Sequence, residues 1–143
     1  MSSAAATHEG DSADLFGALL TSFASEGGLP AVFHCHAGKD RTGIVAALVL
    51  LAVGVDRETV LDDYELTRRY RTFENQQDSY ANMIKLGMSP EAAAGVLSTP
   101  RWAMQEALDA IDDTYGGIER YLLSYTSLSN GALDALRAAL VED

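Results

Sequence analysis

The apolar positions of the chain fall into helical spacing almost from end to end. Leu15, Leu19 and Phe23 recur at i, i+4 and i+8, which predicts an amphipathic helix from Asp11 to Glu26, capped by Asp11 or Ser12 and ended by Gly27-Gly28. Leu29-Pro30 leads into a short apolar stretch, Ala31-Val32-Phe33, which reads as a strand. Beyond a polar, glycine-bearing loop, Ile44–Val53 is apolar nearly all round, the pattern of a helix through the centre of a domain, and Gly54 closes it. Asp56 opens a helix to about Arg71, with Val60, Tyr64 and Thr67 on one stripe. Asn75–Leu86 is a weaker helix whose expected contacts are Tyr80, Met83, Ile84 and Leu86. Ser89-Pro90-Glu91 and Thr99-Pro100 are two helix starts, each with a capping hydroxyl before a proline at the first helical position. The second opens a helix with Met104, Leu108, Ile111 and Tyr115 as its buried stripe and Gly116-Gly117 as its end. Ile118–Tyr125 and Ser129–Val141 complete the series, the last burying Leu133, Leu136 and Leu140. Met1–Gly10, small and polar, reads as a disordered tail, and residues 11–143 as a single domain.

Composition narrows the function classes. A hydrophobic share of 48% and a mean hydropathy near zero describe an ordinary soluble globule. The longest apolar run, Ile44–Val55, falls short of the ~20 residues that span a membrane. Met1–Gly10 has neither the basic start nor the apolar run of a signal peptide, so the expected compartment is the cytoplasm. The net charge of −11 argues against nucleic acid and anionic membrane surfaces, both of which need a positive field. An anionic ligand must then be held by a local site. Arg68, Arg69 and Arg71 form the one basic cluster, either a solvated face balanced by Asp62, Asp63 and Glu65 or a rim that guides anions. The single cysteine excludes an internal disulfide, and no Cys/His spacing resembles a zinc site, so neither metal nor cofactor is implied.

The chemistry concentrates between the apolar strand and the apolar helix, in His34-Cys35-His36-Ala37-Gly38-Lys39-Asp40-Arg41-Thr42-Gly43. A helix beginning near Arg41 has unpaired N–H groups at its positive end, so a loop wrapped over that end offers several donors to one phosphate. Gly38 and Gly43 suit close backbone approach, Arg41 supplies a fork for two phosphate oxygens, and Lys39 adds a point charge. Cys35 in this field is expected to be largely thiolate, a nucleophile rather than a merely buried cysteine. Thr42 is placed to hydrogen-bond the sulfur or to cap the helix, and both roles are compatible. Asp40 is either a base and water-positioner or a structural carboxylate paired with Arg41 or Lys39; two adjacent cations make it a poor acid. His34 reads as a residue that orients the loop from below. His36 and Ala37 occupy variable loop positions beside the ligand.

This ten-residue loop resembles the catalytic loop of the Cys-based protein-tyrosine phosphatase superfamily. Its AGKDRTG ending is closest to the bacterial tyrosine and phosphoinositide phosphatases of the atypical dual-specificity type. Asp63-Tyr64-Glu65-Leu66-Thr67-Arg68-Arg69-Tyr70 resembles the helix that follows in that group, and Tyr115–Leu122 with Leu128-Ser129 and Leu136-Arg137 its C-terminal helices. The resemblance runs from about Leu29 to the end. It implies an α/β, protein-tyrosine-phosphatase-like fold, here mostly α-helical, with the catalytic-loop strand and few or no other sheet strands. It also implies hydrolysis of phosphate monoesters on protein or phosphoinositide substrates through a cysteinyl-phosphate intermediate. In that scheme Cys35, Arg41, Asp40 and Thr42 are catalytic, and His36, Ala37, Gly38, Lys39 and Gly43 bind substrate. Lys39 goes with the phosphoinositide breadth. The family's first strands and its acid-bearing loop lie well upstream of the catalytic loop, whereas only 34 residues precede Cys35, so the domain is expected to be N-terminally incomplete. The competing expectation is a catalytically impaired, phosphate-binding module.

Overall fold

The computed structural model describes residues 4–142, with side chains from Ser12 to Glu142. It is helical nearly throughout: α1 (Ala4–Ala24), α2 (Asp40–Ala52), α3 (Arg57–Glu65), α4 (Thr67–Tyr70), a short 3-10 turn (Glu74–Gln76), α5 (Gln77–Lys85), α6 (Pro90–Leu97), α7 (Arg101–Tyr115), α8 (Ile118–Tyr125) and α9 (Asn130–Leu140). The expected helix ends are met where capping residues stand. Asp56 accepts the Thr59 N–H at 3.0 Å, and Ser89 and Ser129 accept those of Ala92 and Ala132. Gly116, with φ at +79°, closes α7. Thr99 is no cap: Pro100 takes the cap position and Thr99 is buried.

α2 explains its own all-round hydrophobicity. Val45, Leu48 and Ala52 pack with Leu20 and Phe23 of α1, Tyr121 and Leu122 of α8, and Leu133 and Leu136 of α9. Ala47, on another face, joins Val60, Leu61 and Tyr64 of α3 and Met104 and Leu108 of α7. With apolar partners on two sides, a one-sided stripe would leave polar groups in a core. Arg137 of α9 donates to the carbonyl of Ala52 at 2.9 Å, satisfying an acceptor at the end of α2. Arg57 pairs with Asp109 and Asp112, and Arg101 with Glu58 and Asp62, so α3 and α7 are joined reciprocally.

Three expectations are corrected. α1 takes in Ala4–Gly10, which read as a disordered tail; the Ala4-Ala5-Ala6 run has the highest intrinsic helix propensity. Met1–Ser3 and the His8 side chain lie outside the described residues. The catalytic-loop strand does not form: among the described residues there is no strand, and Val32 is 93% exposed. A strand exists by pairing with a neighbour's N–H and C=O groups, and Ala31-Val32-Phe33 has no such neighbour here. Ile84, Leu86 and Leu140, expected in contacts, are exposed: α5 buries no side chain, and Leu140 is the last residue of α9.

Candidate active site

The loop between Phe33 and α2 is irregular, and Gly38, at φ +64°, makes its turn in the left-handed region that glycine adopts without strain. The loop folds so that its donors converge on the Cys35 sulfur. The Thr42 hydroxyl has the largest effect, followed by the Thr42 backbone N–H, with those of Lys39 and Gly38 adding to it. Against a smaller opposing effect of burial, these donors lower the thiol from an ordinary 9.0 to about 6. At pH 7 the thiolate therefore outweighs the thiol roughly ten to one. Thr42 Oγ1 is buried and makes no hydrogen bond of full geometry among the described residues. That leaves the hydroxyl available to the sulfur, whose anion it stabilises.

The structure divides the predicted site residues into two sets. Cys35, Thr42 and Arg41 line one open pocket of about 440 Å³, walled by Leu19 and Phe33. Among the described residues nothing bonds or pairs with the Arg41 guanidinium, which is exposed and free to receive an anion. Lys39 turns away. The residue is 7% exposed, and its ammonium donates to the carbonyls of Val96 and Ser98 at 2.6 and 2.8 Å, with Asp40 at 3.2 Å. That geometry corrects the expectation of Lys39 as a substrate ligand. Asp40 takes the pairing with Lys39 that was one of its two readings, and with His36 and Ala37 it lines a second cavity of about 420 Å³. Gly43 is corrected too. Its N–H is spent on the Lys39 carbonyl at 2.8 Å, and a Cβ there would meet the Tyr64 ring at 2.8 Å, so Gly43 serves helix packing rather than the ligand. His34 Nδ1 lies 3.2 Å from the Cys35 carbonyl oxygen, a donor to it in the tautomer protonated there.

Of the basic cluster, Arg71 is the residue that reaches the loop, a contact the sequence reading did not single out. It donates to the Ala37 carbonyl and so braces the loop. Of its neighbours, Arg68 pairs with Glu65 at 3.1 Å, while Asp62 is held by Arg101 instead of the cluster. The clustering of arginines after the loop was the visible signal; which one reaches back depends on the turn at the end of α4. Among the described residues no group of three or more His, Cys, Asp or Glu side chains gathers as a metal site would require, and no described helix is long and apolar enough to cross a membrane.

A cysteine with a lowered pKa stands six residues before an arginine left unpaired among the described residues, at the start of a buried helix. The profile of the Tyrosine phosphatase family matches residues 2–142, and the chain belongs to that family. It is 33% identical over 126 residues to the triple specificity protein phosphatase PtpB of Mycobacterium tuberculosis, covering 80% of this chain and 45% of that protein. It is 34% identical over 99 residues to a tyrosine-protein phosphatase of Nostoc commune, covering 65% of this chain and 33% of that one. The chain thus spans less than half the length of the curated relatives it matches.

Proposed function

We propose that this chain carries the nucleophile and phosphate clamp of a protein-tyrosine phosphatase. The observation that carries the reading is the pocket shared by a thiol lowered to about 6 and an unpaired arginine. Cys35 Sγ attacks phosphorus as the thiolate; the bond from phosphorus to the ester oxygen breaks and that oxygen takes a proton from solvent water. Arg41, with amide N–H groups of the loop between His36 and Arg41, holds the phosphoryl oxygens. Water then attacks phosphorus, the S–P bond breaks, and the Thr42 hydroxyl stabilises the departing thiolate. Orienting that water is the role this reading leaves to Asp40, at the first turn of α2, although its carboxylate pairs with Lys39 and lines the neighbouring cavity.

Phosphotyrosine is the first substrate in this reading. Phosphoserine, phosphothreonine and phosphoinositides follow as further substrates in this reading; the mycobacterial relative's name, triple specificity protein phosphatase, supports breadth as such. Lys39 lends the phosphoinositide arm no support, since its donors are spent inside the protein. The free thiol fits a reducing, cytoplasmic setting, and in this reading the chain from α1 onward forms one domain.

Hydrolysis of p-nitrophenyl phosphate tests the reading, because the nitrophenolate needs little protonation to leave. Cys35→Ser is expected to abolish turnover, and Arg41→Ala to lower kcat/KM by about 10²–10³, with circular dichroism showing that each variant folds. Hydrolysis undiminished in Cys35→Ser overturns it.

A further inference from the structure

Lys39 is one of few charged or polar side chains buried among the described residues. An ammonium has three donors and no acceptor. Here the three face Val96 O at 2.6 Å, Ser98 O at 2.8 Å and Asp40 Oδ1 at 3.2 Å, so none is left for a ligand. Val96 and Ser98 stand at the end of α6, where unpaired carbonyls gather the negative end of the helix dipole and favour a cation. The same residue works at its other end. The backbone N–H of Lys39 is one of the donors turned toward the Cys35 sulfur.

What sits behind this connection is loosely held. Neither apolar cluster takes a side chain from α5 or α6, and the one buried side chain of the two helices is Ala93. α2, by contrast, is packed on two sides. The loop is therefore fastened at its helical end by the core and, through the Lys39 side chain, to an element outside it.

We propose that Lys39 is a positioning residue, a strut whose ammonium seats on the end of α6 and whose backbone N–H faces Cys35, so that the seating of α6 sets how the loop holds its nucleophile. Displacement of α6 then detunes the cysteine without touching it.

The test is the rate of Cys35 alkylation by iodoacetamide across pH 4.5–9, in the native chain and in Lys39→Met, Lys39→Arg and Ala93→Asp. His34, His36, Asp40, Arg41 and Arg71, the titratable and charged groups around the loop, are present in all four. For the strut, Lys39→Met raises the midpoint from about 6 by about one pH unit, slowing alkylation roughly tenfold at pH 5. Lys39→Arg shifts it in the same direction, because a longer planar fork does not fit between two carbonyls spaced for an ammonium. Ala93→Asp, which unseats α6 at a distance from the loop, does so too. An unchanged midpoint in Lys39→Met, or full restoration by Lys39→Arg, overturns the proposal, the latter by reducing Lys39 to a charge. So does an unmoved midpoint in Ala93→Asp when hydrogen exchange shows α6 released. Should Lys39→Met fail to fold by circular dichroism, the other two variants decide. Alkylation requires no substrate, so the answer stands whether or not the chain hydrolyses phosphate esters. Where it does, a strut lowers kcat with KM retained, and a substrate ligand would raise KM.

Discussion

The two flanks of the Cys35 loop are built differently. Downstream, α2 is enclosed by two apolar clusters, Gly43 lies against the Tyr64 ring, and Lys39 and Arg71 fasten the loop to α6 and α4. Upstream, Ala31-Val32-Phe33 has no ladder partner, Val32 projects into solvent, and only Phe33 packs inward, its ring 5.6 Å from that of Phe23. The chemistry follows the first flank. The donors that lower the Cys35 thiol come from Gly38, Lys39 and Thr42, on the downstream side. The helical flank thus supplies donors to the sulfur, and the upstream segment supplies apolar wall to the pocket through Val32 and Phe33.

The comparison can be pressed hardest at Leu48, fully buried on α2. Leu48→Ala is expected to cost about 2–5 kcal/mol in urea unfolding. Next comes Gly43→Ala: the new methyl meets two Tyr64 ring carbons at 2.8 and 2.9 Å. Its overpacking penalty of about 1–3 kcal/mol exceeds what alanine gains in helix propensity.

Thr42→Ala removes the hydroxyl foremost in lowering the thiol, so the midpoint of Cys35 alkylation should climb from about 6 toward 9.0. Stability carries the same sign. A thiol whose folded value lies below its unfolded one contributes stability that is complete above about pH 9 and is lost as pH falls through about 6. The Tm advantage of the native chain over Cys35→Ser should therefore shrink between pH 9 and pH 6 in calorimetry. The smallest effect is expected at Val32→Ser, within ~0.5 kcal/mol of the native chain. A cost there matching that of Leu48→Ala would show both flanks to be packed alike and end the comparison.

Local patterns carried the reading of the downstream flank, and distant contacts limited it. The apolar run of α2, the caps at Asp56, Ser89 and Ser129, and the Cys35–Arg41 spacing are all visible within a few residues of sequence. Lys39 was read as a ligand because a lysine in a glycine-bearing loop looks free; the carbonyls that consume it lie in a helix that no local signal links to the loop. Gly43 was assigned to the anion for the same reason, its real neighbour being a tyrosine on another helix. The strand failed differently. Three apolar residues after a proline satisfy the local preference for extended backbone, but pairing is a property of two segments, and the pattern of one cannot contain it.

The enclosure of α2 has a consequence in time. Amides of a helix held on two sides exchange with solvent only when the whole core opens, whereas α5 and α6, outside both clusters, can detach in smaller events. The body of α2 would then outlast partial openings that release the Lys39 side chain, and the cysteine would keep the Thr42 donors, carried by the helix itself, after those of Lys39 and Gly38 had moved away.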